Sequence, residues 1–192
     1  VFMLLLAIVT LYPMLYIAFA SFSDAGEYMR HQGLLLKPAG FSLKSYAAVF
    51  ANPMIFTGYM NTLFVVVIGV ASNILLTSMG AYFLSRKGIM LKNGMMFLIV
   101  FTMFFNGGLI PFYLTVKDLR LDNSLWSLIF PVLINTFNLI IMRTSFMGIP
   151  DSLEEAARID GASDMYVLWK IVLPLSTPIL ATIGLFICVG YW

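Results

Sequence analysis

The segment Pro150–Pro174, PDSLEEAARIDGASDMYVLWKIVLP, is a long polar interruption between two apolar runs. Its first part predicts a short helix, because Asp151 can cap the start and Glu154, three residues later, completes a capping box. Gly161 favours the left-handed backbone that ends such a helix. One face of the helix is small and mildly apolar, and it is formed by Leu153, Ala156, Ala157 and Asp160.

The composition predicts a membrane protein. Of the 192 residues, 61% are hydrophobic and only 10% are charged, whereas a soluble domain is about half apolar and about a quarter charged. The net charge of +2 is too small to indicate a nucleic-acid partner. The single cysteine, Cys188, excludes an internal disulfide, and nothing near it in the sequence supplies a metal site.

Apolar runs of about 20 residues predict an all-α, polytopic membrane protein with one transmembrane domain over residues 1–192. The stretch 23–57 is expected to be an outer loop and 148–174 a cytoplasmic loop. This orientation rests on the short basic loop 85–93, because loops rich in lysine and arginine stay on the cytoplasmic side. The predicted spans are 2–22, 58–84, 94–113, 124–147 and 175–192.

The first span has an alternative interpretation. Ala18-Phe19-Ala20 resembles a signal-peptidase site, so the apolar run could be a signal peptide. We favour a membrane span, because the run is long for a signal peptide and further spans follow.

Polar and aromatic residues inside the spans are candidates for a substrate path. In the second span they share a face with small residues, and we favour helix packing over a polar lining for that face. In the third span Gly107, Gly108 and Pro111 weaken the helix, which fits either a cavity wall or a packing kink. The candidate substrate-path residues are Asn73, Tyr82, Asn106, Tyr113, Asn135 and Asn138.

The sequence lacks the motifs of several enzyme classes. It contains no G-x-x-x-x-G-K-[ST], H-E-x-x-H, C-x-x-C or G-x-S-x-G. No acidic residue lies inside a predicted span, which argues against a proton relay. We therefore expect a protein that is not an enzyme, has no metal site and draws any transport energy from a partner.

The spacing of the polar segment resembles the EAA loop of ABC importer permeases. That loop reads EAA, three residues, Gly, nine residues and then I-x-L-P, and Glu155-Ala156-Ala157, Gly161 and Ile171–Pro174 match every position. Asp160-Gly161-Ala162 is similar to the sugar-importer branch, and the stretches 106–111 and 190–192 also resemble it. The likeness extends over nearly the whole chain, and its subgroup is the maltose-permease-like one for oligosaccharide or aldouronate uptake.

The resemblance implies a type I ABC importer permease fold in the bacterial inner membrane. The chain would be a fragment truncated at both ends, with about five of six transmembrane helices. Its function would be carbohydrate import, driven by ATPase closure that moves the EAA helix and switches the membrane cavity. The implied partners are a second permease subunit, an ABC ATPase dimer that binds ATP and Mg²⁺, an extracytoplasmic solute-binding protein, a sugar and membrane lipid. This chain itself would bind no cofactor.

The resemblance also implies which residues meet the ATPase. The alternative for the helix is an ordinary capped loop helix without a partner. The alternatives for the whole chain are an ABC permease for another neutral solute and an integral membrane subunit without transport activity. The implied coupling residues are Leu153, Glu154, Glu155, Ala156, Ala157, Asp160, Gly161, Ile171, Leu173 and Pro174.

Overall fold

A computed structural model describes residues 2–105 and 107–192. Most of the described residues lie in helices, which confirms the all-α prediction. Within these ranges the strand-like pairing is limited to an isolated bridge between Ser23 and Phe41. The chain divides into two compact units, one up to Met60 and the other from Asn61 to Trp192.

The first unit contains α1 (Phe2–Ser21), α2 (Ala25–Arg30) and α3 (Lys44–Phe50). α1 is apolar along its whole length, and none of its residues is fully buried. The loop before α3 folds back onto it, because Leu35 is buried and its backbone N–H donates to the Tyr12 hydroxyl at 3.0 Å. α1 thus presents the kind of surface that a lipid environment covers.

The second predicted span is a single helix, α4 (Pro53–Ser85), of 33 residues. It begins before residue 58 because the Asn52 side chain accepts a hydrogen bond from the Met54 N–H at 3.0 Å and proline suits the first helical position. At its far end, Gly88 has φ +79° and directs the chain away. At about 1.5 Å per residue the helix is roughly 50 Å long, which exceeds the hydrocarbon thickness of a bilayer.

The predicted span 94–113 is not one helix. α5 (Lys92–Thr102) ends before the glycine pair, and α6 (Leu109–Asp118) begins after it. Gly108 has φ +83°, a backbone conformation that no α-helix contains. Pro111 then falls in the first turn of α6, where a missing N–H is tolerated.

The predicted span 124–147 is also broken. α7 (Trp126–Ile129) continues into a 3₁₀ turn, Phe130–Val132, and α8 (Thr136–Met147) follows at an angle of 52°. Asn135 starts α8, because its side chain accepts a hydrogen bond from the Asn138 N–H at 3.2 Å. Asn135 and Asn138 therefore lie at a bend in the chain.

The rest of the chain consists of a short helix followed by two helical runs. The runs meet at Ser176 at an angle of 85°, with Pro178 in the first turn after the bend. The elements are α9 (Asp151–Ile159), α10 (Asp164–Val167), a π-helix (Leu168–Val172), α11 (Leu173–Leu175) and α12 (Thr177–Tyr191).

Among the described residues, α1 and α4 are the two helices long and apolar enough to cross a membrane alone. The number rises to four if each of the two bent pairs counts as one crossing. α5 is apolar but has only 11 residues. The sequence predicts five apolar stretches, and the structure folds 94–113 and 124–147 as interrupted helices.

The core of the second unit lies where α4, α8, α12 and the run from Asp164 to Leu175 meet. Within it the Ser78 hydroxyl donates to the Met142 sulfur at 3.3 Å, and Gly69 lies against the Tyr191 ring. The largest fully buried side chains of this core are Met142, Phe146, Leu168 and Ile183.

We expect Gly69→Ala to destabilise the protein. A Cβ at Gly69 would lie 2.7 Å from two ring carbons of Tyr191, so the ring would have to shift. Such overpacking costs about 1–3 kcal/mol. The thermal unfolding temperature in detergent measures it.

Gly58→Ala is the matched control for this change. Gly58 lies in the same helix, and a Cβ added there would have nothing within 4 Å. Both variants gain the same helix propensity, so the difference between them isolates the contact with Tyr191. Equal unfolding temperatures would contradict the close approach.

Candidate functional site

One face of α9 is bound to the basic end of α4 by two ion pairs. Arg86 donates to the Glu154 carboxylate, and Lys87 donates to the Asp151 carboxylate. The first pair is buried, with side-chain exposures of 11% and 9%, and the second is exposed, at 84% and 50%. The α9 residues of these pairs lie three positions apart, so they share one stripe of the helix.

The predicted capping box is wrong. α9 begins at Asp151 itself, with Pro150 at the cap position, and no capping side-chain hydrogen bond is found there within the described chain. The Asp151 and Glu154 carboxylates bind Lys87 and Arg86 instead. Ion pairs with distant residues thus replace the local capping bonds that the sequence predicts.

Arg86 connects three helices. Its Nε donates to the Ser85 hydroxyl at 3.0 Å, and one terminal nitrogen donates to the Phe146 carbonyl, at the end of α8, at 3.4 Å. The guanidinium carbon lies 4.7 Å from the centre of the Tyr82 ring, a cation–π contact. Burial lowers the pKa of Arg86, because desolvation disfavours the charged form.

The end of α9 is built as predicted. Gly161 has φ +81°, its N–H donates to the Arg158 carbonyl at 3.0 Å, and the Ala162 N–H donates to the Ala157 carbonyl at 2.9 Å. These two bonds form a Schellman motif, which satisfies carbonyls at the helix end. The Ser163 hydroxyl then caps α10 by accepting a hydrogen bond from the Tyr166 N–H at 3.3 Å.

A second stripe of α9 borders an open cleft of about 700 Å³. The α9 side of the cleft is small or apolar, whereas Tyr166 and Lys170 project from the next helical run. The cleft is lined by Leu153, Ala157, Asp160, Gly161, Ala162, Ser163, Tyr166, Lys170 and Ile171. α9 therefore has one stripe bound to Arg86 and Lys87 and another that borders open space, and Ala157 in the second stripe also packs against the core.

The remaining predicted coupling residues occupy different environments. Glu155 and Ala156 are exposed on α9. Ile171 and Leu173 are half-buried and pack against the core, while Pro174 is exposed. The I-x-L-P positions thus help to anchor the helical run that follows the cleft.

Three of the predicted substrate-path residues line one cavity of about 410 Å³, which also borders Tyr191. They are Asn73, Asn135 and Asn138. The Asn73 amide donates to the Val132 carbonyl at 3.0 Å, and its oxygen accepts from the Thr77 hydroxyl at 3.1 Å. Asn73 therefore also joins α4 to the bend before α8.

The other substrate-path residues lie elsewhere. Tyr82 is buried beside Arg86 at the basic end of α4, and Tyr113 is 55% exposed on α6. Neither lines the cavity that holds the three asparagines. Asn106 lies outside the described residues.

The sequence does not predict that Arg86 and Lys87 bind α9, or that Tyr191 borders the cavity with the three asparagines. A signal for the first two is present, because the loop 85–93 carries only basic charges and α9 begins with acidic ones. Such complementary segments predict a contact. Tyr191 has no comparable signal, since aromatic residues are common in apolar runs.

Comparison with known proteins identifies the family. Residues 77–191, from the middle of α4 to the end of α12, match the model of the "binding-protein-dependent transport system inner membrane component". The chain belongs to this family. The matched region of this membrane component includes both stripes of α9 and most of the three-asparagine cavity.

Individual relatives agree with the family assignment. The chain is 45% identical over 191 residues to the polygalacturonan/rhamnogalacturonan transport system permease protein YtcP of Bacillus subtilis and covers 66% of it. It is 40% identical over 184 residues to the protein LplC of the same organism and covers 62% of that sequence. This membrane component thus spans just under two thirds of the length of these relatives.

A solved structure confirms the polytopic permease fold. The whole chain superposes with a TM-score of 0.95 and 37% identity on 68% of a chain from a bacterial ABC transporter involved in the import of the acidic polysaccharide alginate. The broken helices after α4 are therefore a property of the shared fold.

We expect Asp151→Asn to destabilise this membrane component only in a window of pH. The hydrogen bond and the charge of Lys87 hold the pKa of Asp151 below its usual range, and Asp151 raises the pKa of Lys87. An acid whose pKa is lowered on folding stabilises the folded protein at pH values above its unfolded pKa, about 3.9 for aspartate. A lysine whose pKa is raised stabilises the folded protein at pH values below its unfolded pKa, about 10.4. The stabilisation is therefore lost as pH falls through the folded pKa of Asp151 or rises through that of Lys87.

Thermal unfolding of the wild type and of Asp151→Asn across pH measures this effect. Their difference should be constant between about pH 5 and 9 and shrink outside that window. It should also shrink in high salt, because both groups are exposed. Asp118→Asn, at the exposed end of α6, is the control. A difference that persists undiminished at about pH 2 would contradict the ion pair.

Proposed function

We propose that this chain is the membrane-spanning permease subunit of an ATP-driven importer of oligosaccharides. The observation that carries the proposal is the open cleft beside the small stripe of α9. Family membership supports it, because a binding-protein-dependent transport system needs a membrane component that other subunits can drive.

In this proposal α9 docks into a groove of an ABC ATPase subunit. Ala157 and Gly161 permit close approach, since a Cβ at Gly161 would meet nothing within 4 Å. Leu153 supplies an apolar contact of a kind found at the centre of interfaces. Asp160 and Lys170 give the edge of the cleft charges of both signs, which would orient the partner.

ATP and Mg²⁺ would bind to the ATPase pair, because this sequence has no phosphate-binding P-loop. Closure of the pair would move α9, and the helices joined to it would switch the membrane cavity between two states. A second permease subunit would complete the pathway, and an extracytoplasmic solute-binding protein would deliver the substrate.

Carbohydrate is the substrate class that we propose. The name of YtcP refers to polygalacturonan and rhamnogalacturonan, and the structural relative takes part in alginate import. The cavity with Asn73, Asn135 and Asn138 offers neutral amides, which hydrogen-bond sugar hydroxyls through donor and acceptor atoms. Tyr191 adds an aromatic wall of the kind that sugar rings stack against.

We expect Ala157→Arg and Glu155→Arg to uncouple transport. Both changes place a bulky cation on α9, Ala157→Arg beside the cleft and Glu155→Arg at an exposed position near Lys87, and neither removes a partner of the Arg86 or Lys87 ion pairs. Uptake by the full-length transporter in proteoliposomes should fall at least about tenfold, equivalent to about 1.4 kcal/mol. Asp118→Arg, on α6, is the matched charge-reversal control.

A photo-crosslinker at Ala157 tests the partner directly. The expected adduct is a polypeptide that carries a G-x-x-x-x-G-K-[ST] motif. Adducts with lipid alone, together with normal uptake by both variants, would refute the docking role.

We expect Asn138→Leu to weaken substrate passage. The bond that caps α8 uses the Asn138 backbone, so the change removes only the amide in the cavity. The loss of one hydrogen bond, about 0.5–1.5 kcal/mol, should raise the half-saturation concentration for uptake by about 2- to 13-fold.

Asn73→Leu provides the contrast, because it breaks the bond to the Val132 carbonyl and should lower thermal stability as well. Unchanged uptake kinetics in Asn138→Leu would contradict the proposal that this cavity is part of the substrate path.

A further inference from the structure

We propose that Arg86 is a positioning residue that couples α9 to α4 and carries the movement of α9 into the membrane helices. This inference rests on the proposed function, since it concerns how a docked α9 transmits force. The buried ion pair between Arg86 and Glu154 is its structural basis.

The connection is direct although the residues are distant in sequence. Arg86 and Glu154 lie 68 positions apart. Along the chain, α9 is joined to α8 through Gly148–Pro150 and to the next helical run through Gly161, both of which are turns. The ion pairs of Arg86 and Lys87 therefore supply links from α9 to α4 that the covalent path does not provide.

Arg86 lies where three helices meet and contacts each of them. It binds Glu154 on α9, the Phe146 carbonyl on α8 and the Tyr82 ring on α4. Because a guanidinium is planar and holds several donors in a fixed arrangement, these contacts constrain its position together. A displacement of Glu154 must then move Arg86 or leave buried charges without partners, which is unfavourable.

The end of α4 is fixed well enough to move as one body. The Lys92 ammonium donates to the Ser85 carbonyl at 3.3 Å and to the Arg86 carbonyl at 2.7 Å. The Arg143 Nε, from α8, donates to the Leu84 carbonyl at 2.9 Å. These bonds satisfy carbonyls that the last turn of a helix leaves unpaired. The last turn of α4 is thus held against fraying.

The two ion pairs differ in a way that provides an internal control. Lys87 and Asp151 are exposed, so water screens their attraction and replaces it when they separate. Arg86 and Glu154 are buried, and separating them has no such compensation. We therefore assign the transmission of movement to Arg86 and Glu154 and not to the neighbouring pair.

The test compares uptake per ATP hydrolysed in the assembled full-length transporter. Arg86→Gln and Glu154→Gln should each reduce this ratio at least about fivefold while ATP hydrolysis continues, because the docking stripe is unchanged and only the buried charge pair is lost. The exchanged pair, Arg86→Glu with Glu154→Arg, should recover at least half of the loss. Lys87→Gln should stay within about twofold of the wild type, since water screens that pair.

A merely structural role would lower thermal stability and the amount of assembled transporter without changing uptake per ATP. Thermal stability and the amount of assembled transporter are therefore measured on the same samples as uptake per ATP. A wild-type ratio in Arg86→Gln overturns the proposal, as does an exchanged pair no better than either single variant. Should Arg86→Gln fail to assemble, Glu154→Gln, which keeps an amide oxygen facing Arg86, decides by the same outcomes.

The two proposals fail differently. If docking by α9 is wrong, Ala157→Arg leaves uptake unaffected. If only the role of Arg86 is wrong, Ala157→Arg abolishes uptake while Arg86→Gln retains the normal ratio.

Discussion

The buried pair of Arg86 and Glu154 is the interaction on which the placement of α9 against the end of α4 depends. A short helix of nine residues is marginal in isolation, because nucleation is unfavourable and few hydrogen bonds repay it. α9 is stabilised by its surroundings instead: ion pairs at its start, a Schellman motif at its end and the core beneath Ala157. With α9 held in this way, its stripe of Leu153, Ala157 and Asp160 is presented in a defined orientation beside the cleft.

Hydropathy alone is sufficient to predict the continuous helices. α1 and α4 are long apolar runs that polar residues follow, and their bounds lie within five residues of the predicted ones. The interruptions are harder to predict, because an apolar run that bends has the same hydropathy as one that does not. Gly108 and Pro131 are visible in the sequence, yet the 52° bend between α7 and α8 depends on tertiary packing around Asn73 and Val132.

In the candidate site, too, features set by neighbouring residues could be predicted from the sequence, whereas contacts between residues far apart in the sequence could not. Gly161 ends α9 as the sequence predicts, because left-handed backbone is a local preference. Asp151 and Glu154 have the spacing of a capping box, but their carboxylates do not cap α9. They bind Lys87 and Arg86, which lie far along the chain. The proximity of Asn73 to Asn135 and Asn138 required the fold, because Asn73 lies in α4, far from the other two along the chain.

The π-helix from Leu168 to Val172 has a consequence for how the chain tolerates change in length. A wide turn of this kind contains one residue more than an α-helical turn needs, and such turns are typical of functional regions. Loss of a single residue here would allow the turn to tighten into ordinary α-helix, so the shortening would be confined to the segment between Val167 and Leu173. The segment that links the cleft to α12 can therefore lose one residue within the wide turn without a change of register in the helices on either side.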